Sequence, residues 1–186
     1  HEAGHALIAK FMKEADPVHK VTIVPRGMAL GLMQQLPEDD KLNRSKQHWL
    51  DWICICFGGR IAEELIFDQI TTGAQSDIQS ATNVARKMVC EWGMSDALGP
   101  LAYNQQDGSV FLGKDIGSQR DYAEGTALKI DEEIRSIVEA QLERARDIMK
   151  REKTALEAIT EALLEKETLD GKEVDKLVEE HSVKVS

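Results

Sequence analysis

The sequence predicts a mainly α-helical fold with a small β element of two or three short strands and a helical bundle towards the C-terminus. Three observations carry that expectation. Apolar residues recur at helical spacing near residues 1–12, 45–66, 78–89 and 130–149. Two short runs of strand character, residues 20–24 and 28–36, lie close together between Pro and Gly punctuation. From Gln119 onward the chain is densely charged around one long apolar stripe.

The first helix is expected from His1 to about Glu14, with Ala6, Leu7, Ile8, Phe11 and Met12 on its apolar face. Asp16-Pro17 ends it, because the residue before proline avoids helical backbone. Lys-Val-Thr-Ile-Val at 20–24 alternates as a strand and is closed by Pro25-Arg26-Gly27. Residues 28–36 read as a second strand, weakened at Gly31 and stopped by Pro37. Gly31 marks either an ordinary bulge or the close approach of another backbone, such as a substrate adding itself as a strand. A polar loop at 38–44 leads to Ser45, a candidate N-cap for a helix through Trp49, Trp52, Ile53, Cys56, Phe57, Ile61, Leu65 and Ile66. Gly58-Gly59 interrupts that pattern, and two glycines in a helix cost about 2 kcal/mol against alanine. The expected reason is a neighbour packed against the backbone, with the histidine-bearing first helix as the candidate.

Thr71-Thr72-Gly73-Ala74 precedes a further helix with Ile78, Ala81, Val84, Ala85, Met88 and Val89. Asp77 falls in its first turn, where the helix dipole favours a carboxylate. Gly93 and Gly99-Pro100 break the pattern, and residues 101–118 read as a surface loop of some mobility. Ile130, Ile134, Ile137, Val138, Leu142, Ala145, Ile148 and Met149 then form the long stripe. Thr154-x-x-Glu157 is expected to cap the next helix, with Leu156, Ile159, Leu163 and Leu164 inside it. Asp170-Gly171-Lys172-Glu173 has the same form and opens a short last helix, Val174 to Val178. These segments read as an antiparallel bundle with a solvated charged face.

With 186 residues, 42% hydrophobic and 30% charged, the chain is long enough and apolar enough to bury a core. A net charge of -10 without a basic stripe argues against nucleic acid. No apolar run reaches membrane-spanning length and no signal peptide opens the segment, so the piece itself reads as soluble. Cys54, Cys56 and Cys90 form no framework, which suggests free thiols in a reducing compartment, buried as small hydrophobes.

The chemistry concentrates in His1-Glu2-Ala3-Gly4-His5. Histidines at i and i+4 lie one turn apart on one helix face, so both imidazoles can reach a single metal ion. Glu2 lies about 100° round the helix, near enough to meet a metal-bound water without being a ligand. This is the H-E-x-x-H zinc-peptidase pattern: three protein ligands, a fourth position for water, and a carboxylate to take its proton. The chain begins on a ligand, so it is expected to be a piece of a longer polypeptide whose first helix starts upstream. A catalytic zinc needs a third protein ligand. His19, His48, Glu63, Glu64 and Asp77 are all available, and the pattern leaves Glu63 and Asp77 tied.

Several motifs together resemble one family. His1 to Leu7 (His-Glu-Ala-Gly-His-Ala-Leu), Asp16-Pro17-Val18-His19-Lys20-Val21-Thr22-Ile23, Pro25-Arg26-Gly27, Gly58-Gly59-Arg60, Ala62-Glu63-Glu64-Leu65 and Thr71-Thr72-Gly73-Ala74 are similar to the peptidase domain of FtsH, the membrane-bound AAA protease. Asp77-Ile78-x-x-Ala81-Thr82, Met88-Val89-Cys90, Trp92-Gly93-Met94-Ser95 and Leu163-Leu164-Glu165 continue the match, with Ile78 where the family often has leucine. The resemblance covers nearly the whole chain and is weaker over residues 104–126.

That resemblance implies His1, His5 and Asp77 as zinc ligands, one Zn2+ per chain, and Glu2 as the catalytic glutamate. Glu63 then becomes a candidate for orienting a histidine through its other ring nitrogen. It implies a single peptidase domain over 1–186, with the zinc site and core in 1–100 and a helical region at 119–181. The strand bearing Met28, Ala29, Leu30, Gly31 and Leu32 becomes the edge on which polypeptide substrates dock. ATP would act only through an AAA module upstream, since no G-x-x-x-x-G-K-[ST] is present. Membrane anchors would lie upstream too, with hexameric rings at the cytoplasmic face of a bacterial inner membrane, or an organelle inner membrane, degrading unfolded and membrane proteins. Two other readings stay open: a catalytically silent assembly domain, and a stand-alone gluzincin-like peptidase using Glu63.

Overall fold

The computed structural model describes residues 1–25, 27, 30–37, 43–103 and 122–183. The fold is mainly helical with one small sheet, as the apolar spacing predicts. In chain order the elements are α1 (Glu2–Phe11), β1 (Val18–Thr22), β2 (Leu32–Gln35), α2 (Lys46–Cys56), α3 (Gly58–Phe67), a 3-10 turn (Thr72–Ala74), α4 (Gln75–Cys90), α5 (Glu124–Arg151), α6 (Lys153–Lys166), β3 (Thr168–Asp170) and α7 (Gly171–His181).

α1 runs through the centre of the molecule. Residues Ala3 through Ala9 are all buried, and α2, α3, α5, α6, α7 and β1 pack around them. α1 stops at Phe11 rather than Glu14, because the next backbone groups are used elsewhere. The Glu14 amide donates to Asp51 Oδ2 at 3.0 Å, and its carbonyl accepts from His48 Nδ1 at 2.7 Å. α2 therefore takes the groups that one more helical turn would need. Ser45 caps α2 as expected, its hydroxyl accepting from the His48 amide at 3.0 Å.

The glycine pair has the expected cause. A Cβ on Gly4 would overlap the Gly58 carbonyl oxygen, and one on Gly58 would fall 2.6 Å from the Gly4 oxygen. A Cβ on Gly59 would strike the His1 ring at 2.5 Å. α1 and α3 thus meet backbone to backbone beneath the histidines.

The antiparallel sheet has the order β2-β1-β3. β1 lies two residues earlier than the alternation at 20–24 suggests. Val18 already pairs with Gln35, while past Thr22 the Val24 amide turns back onto the Thr22 hydroxyl at 3.2 Å. β2 covers Leu32–Gln35, only part of the expected 28–36 stretch; Met28 and Ala29 lie outside the described residues. β3 arrives from far along the chain, setting Leu169 opposite Val21, both fully buried.

The 28-residue α5 carries the long stripe and passes directly into α6. Thr154 is not the start of α6: the helix begins at Lys153, and the chain turns at Glu152 without a side-chain cap. Glu152 is buried there and instead accepts from Arg151 Nε at 2.6 Å and the Val183 amide at 3.1 Å. Asp170 and Glu173 do form the expected capping box, and the helix it opens extends to His181, beyond Val178. The polar loop at 38–44 lies largely outside the described residues, as do residues 104–121 of the expected 101–118 loop and the start of the charged region.

Candidate metal centre

His1 stands at the N-cap of α1, and His5 follows one turn later on the same face. Their Nε2 atoms are 3.1 Å apart. Asp77, in the first turn of α4, brings Oδ2 to 3.2 Å from His1 Nε2 and 3.5 Å from His5 Nε2. Among the described residues this is the one group of His, Cys, Asp and Glu donors close enough to share a metal ion.

The outer nitrogens set the tautomers. His5 Nδ1 faces the Ile55 carbonyl and His1 Nδ1 faces Glu63 Oε1, both at 2.7 Å. Each oxygen accepts, so each Nδ1 is assigned the proton, and in the neutral rings both Nε2 lone pairs face Asp77. Three acceptors at such separations repel one another unless they share a cation. Donors bound 2.0–2.1 Å from a tetrahedral zinc lie roughly 3.3 Å apart. The observed separations bracket that value, and two imidazoles with one carboxylate are a zinc-type donor set.

The same crowding governs proton affinity. Without a cation, a second proton on the ring relieves it: hydrogen bonding of the imidazolium to Asp77 foremost raises His1 to about 9; burial opposes this and Glu63 assists it. Asp77 feels burial pushing its carboxyl up, but hydrogen bonds from His1 and His5 outweigh that and hold it well below the usual carboxylate range. Glu2 is pushed upward by burial, against the pull of His5 and His1. A cation held by the cluster would favour its ionised form.

A cleft of about 710 Å³ opens over these groups. Glu2, Gly31, Met33, Trp52 and Ile55 contribute to its walls. Gly31 lies hard against Glu2: a Cβ there would fall 2.6 Å from Glu2 Cγ and 3.0 Å from its Oε1. The close neighbours at Gly31 are thus the Glu2 side chain and the Thr22 carbonyl of β1, which the same Cβ would meet at 3.0 Å, not a further backbone added from outside.

The family model described as peptidase family M41 matches residues 1–177. The chain belongs to peptidase family M41. It is 51% identical over 179 residues to the ATP-dependent zinc metalloprotease FtsH of Myxococcus xanthus, covering 96% of this chain and 28% of that protein. It is 48% identical over 180 residues to FtsH 1 of Sphaerobacter thermophilus, covering 97% of this chain and 28% of the relative. With FtsH of Rubrobacter xylanophilus the identity is 46% over 183 residues, 98% of this chain and 28% of that one. The chain thus spans between a quarter and a third of the length of these relatives.

Within this M41 fold the other candidate ligands separate cleanly. Glu63 reaches the outer nitrogen of His1 and stays outside the donor cluster. Glu64 pairs with Arg146 of α5 at 3.3 Å. His19 is an exposed residue of β1, and His48 is buried against the Glu14 carbonyl. Leu30, Gly31 and Leu32 border the cleft, with Leu30 83% exposed and Leu32 opening the edge strand β2. Burial pushes the Cys54 thiol up to about 12 and the Cys56 thiol far above its usual range, so they are inert as nucleophiles at neutral pH. Sequence reasoning assigned nothing to Thr71, whose hydroxyl donates to Glu63 Oε2 at 2.7 Å. Its Thr-x-Gly context was the available signal, since it reads as a cap. Among the described residues no helix is long and apolar enough to cross a membrane.

Proposed function

We propose that this chain is the proteolytic part of an ATP-dependent, FtsH-like zinc metalloprotease, and that it hydrolyses internal peptide bonds. The convergence of His1 Nε2, His5 Nε2 and Asp77 Oδ2, with both outer ring nitrogens already committed, carries the reading. The relatives' names agree with it. His1, His5 and Asp77 would hold the zinc ion. When bound, zinc supplies Lewis acidity, which polarises the scissile carbonyl and makes a water acidic enough to attack near neutral pH. Glu2 takes the proton of that water and returns it to the departing amine, so that water and peptide become a carboxylate and an amine. Gly31 leaves room for the Glu2 carboxylate at the cleft wall. Glu63 fixes the His1 ring through Nδ1.

The substrate polypeptide is taken to add along the β2 edge, past Leu30, Gly31 and Leu32, with Met28 and Ala29 continuing the same stretch. β2 pairs with β1 on one side and has no strand on the other among the described residues, which leaves backbone groups for that addition. The whole 1–186 chain acts as one domain in this reading. On the same reading the peptidase domains assemble as a hexameric ring, and the AAA module that spends ATP and the membrane anchors lie in sequence outside this chain, which covers 28% of these relatives. Unfolded and membrane-derived polypeptides are the proposed substrates, at the cytoplasmic face of a bacterial inner membrane or at an organelle inner membrane.

Glu2→Gln tests the reading. It should keep one zinc per chain and lower peptide cleavage by about 10²–10⁴-fold, the worth of a positioned general base. Full turnover with zinc bound would end the assignment of Glu2. Zinc held without cleavage in the parent protein as well would favour the silent assembly reading.

A further inference from the structure

We propose that Thr71 is a positioning residue that ties the histidine side of the metal centre to the carboxylate side; this rests on the zinc reading above. Glu63 sits on α3 and Asp77 on α4, and the chain between them reverses after Asp68, which adopts a left-handed backbone with φ 52. Thr71 follows that reversal and uses both faces of one hydroxyl. It donates to Glu63 Oε2 at 2.7 Å and accepts from the Gly73 amide at 3.1 Å. The first bond fixes the carboxylate whose other oxygen accepts from His1 Nδ1 at 2.7 Å. The second caps the 3-10 turn Thr72–Ala74, which runs directly into α4 and places Asp77 in its first turn.

The result is an unbroken path from one ligand to the other: His1, Glu63, Thr71, Gly73, then the short helical turn to Asp77. A carboxylate held at one oxygen can still swing about its terminal torsion, whereas one held at both cannot. Thr71 therefore fixes the orientation of Glu63, and through it the His1 ring. It also sets the distance at which Asp77 is delivered. Gly73 fits this junction closely, since a Cβ there would come within 3.2 Å of the Thr71 hydroxyl and 3.6 Å of Glu63 Oε1. Only a side chain that donates and accepts at one atom, close to the backbone, performs both tasks, so Ser is an adequate substitute and isosteric Val is not.

The test compares Thr71→Val, Thr71→Ser and the parent in the intact protein, reading zinc affinity by competition with a chelator and peptide cleavage by kcat and KM. Thr71→Val should bind zinc about tenfold more weakly, the low end of the 10–100-fold known for groups that orient metal ligands. Its kcat should fall in zinc-limited buffer with KM unchanged, because the β2 edge is untouched. Thr71→Ser should restore both. Should Thr71→Val not fold, Thr71→Ala gives the same reading at this exposed position. A parent that binds no zinc would overturn the zinc reading and this proposal together. Zinc bound equally well by the parent and the hydroxyl-less variant, or a loss that Ser does not rescue, would overturn the role of Thr71 alone.

Discussion

α1 meets α3 backbone to backbone, whereas α6, which also packs on α1, buries apolar side chains. At the first contact Gly4, Gly58 and Gly59 leave no Cβ between the helices, and the His1 ring rests directly on the α3 backbone. Around the second, Leu156, Ile159 and Leu163 of α6 fill space with residues that carry no chemistry. The C-terminal region also braces the N-terminal half away from the first contact. β3 completes the sheet against β1, and Arg144 of α5 reaches the fully buried Asp51 at 2.7 Å. The difference follows from tolerance. Apolar side chains repack when disturbed, but a metal centre of the proposed kind does not survive shifts of a few tenths of an ångström, and the His1 ring rests on backbone.

The sharpest way to break this comparison is at the donors. Asp77→Asn should lose its zinc, while Glu63→Gln should keep it with affinity reduced about 10–100-fold. Metal analysis on both variants checks it, and equal loss would mean that Glu63 is a ligand. Arg144→Met asks how far the C-terminal region supports the site. It leaves Asp51 buried with only the Glu14 amide and Gln47 Nε2 as partners. The expected loss is about 3 kcal/mol of stability, read by urea unfolding, with zinc stoichiometry intact. A loss under about 1 kcal/mol would show that the two remaining donors suffice.

A matched pair sharpens the contrast at smaller scale. Gly58→Ala gains about 1 kcal/mol of helix propensity but drives a methyl into the Gly4 backbone, for a net cost of roughly 1–2 kcal/mol. Peptide cleavage should fall with it. Ile159→Val, in the buried face of α6, should cost about 1 kcal/mol and leave cleavage unchanged. Were the two variants to affect cleavage equally, the backbone contact would have no special bearing on the site.

The parts legible from the sequence were local ones. The i, i+4 histidines needed only the helical repeat, the capping residues Ser45 and Asp170 only the neighbouring amides, and the glycine pair could be read as a close helix contact because glycine inside a helix is otherwise costly. The misread parts were those where a distant group takes over a local choice. α1 ends early because His48 and Asp51 claim the Glu14 backbone. Thr154 does not cap because α5 passes almost without interruption into α6. β3 is only Thr168–Asp170, too short to leave a pattern, and exists as a strand because β1 is there to pair with it.

The sequence by itself determined the helical class, a helix face with two histidines at metal-ligand spacing and a carboxylate neighbour, and, through shared motifs, the resemblance to the FtsH peptidase domain. Spacing alone left Glu63 and Asp77 tied, since residues 62 and 72 positions after the relevant histidines carry no distance information along the chain, and only the family resemblance pointed to Asp77. Tertiary structure supplied the distances: with the reversal after α3 and the turn at Thr71, Asp77 lies against the inner Nε2 atoms and Glu63 against the outer Nδ1 of His1. The physical reason is that ligation depends on which lone pair a carboxylate meets, and that is fixed only when two helices are locked against each other.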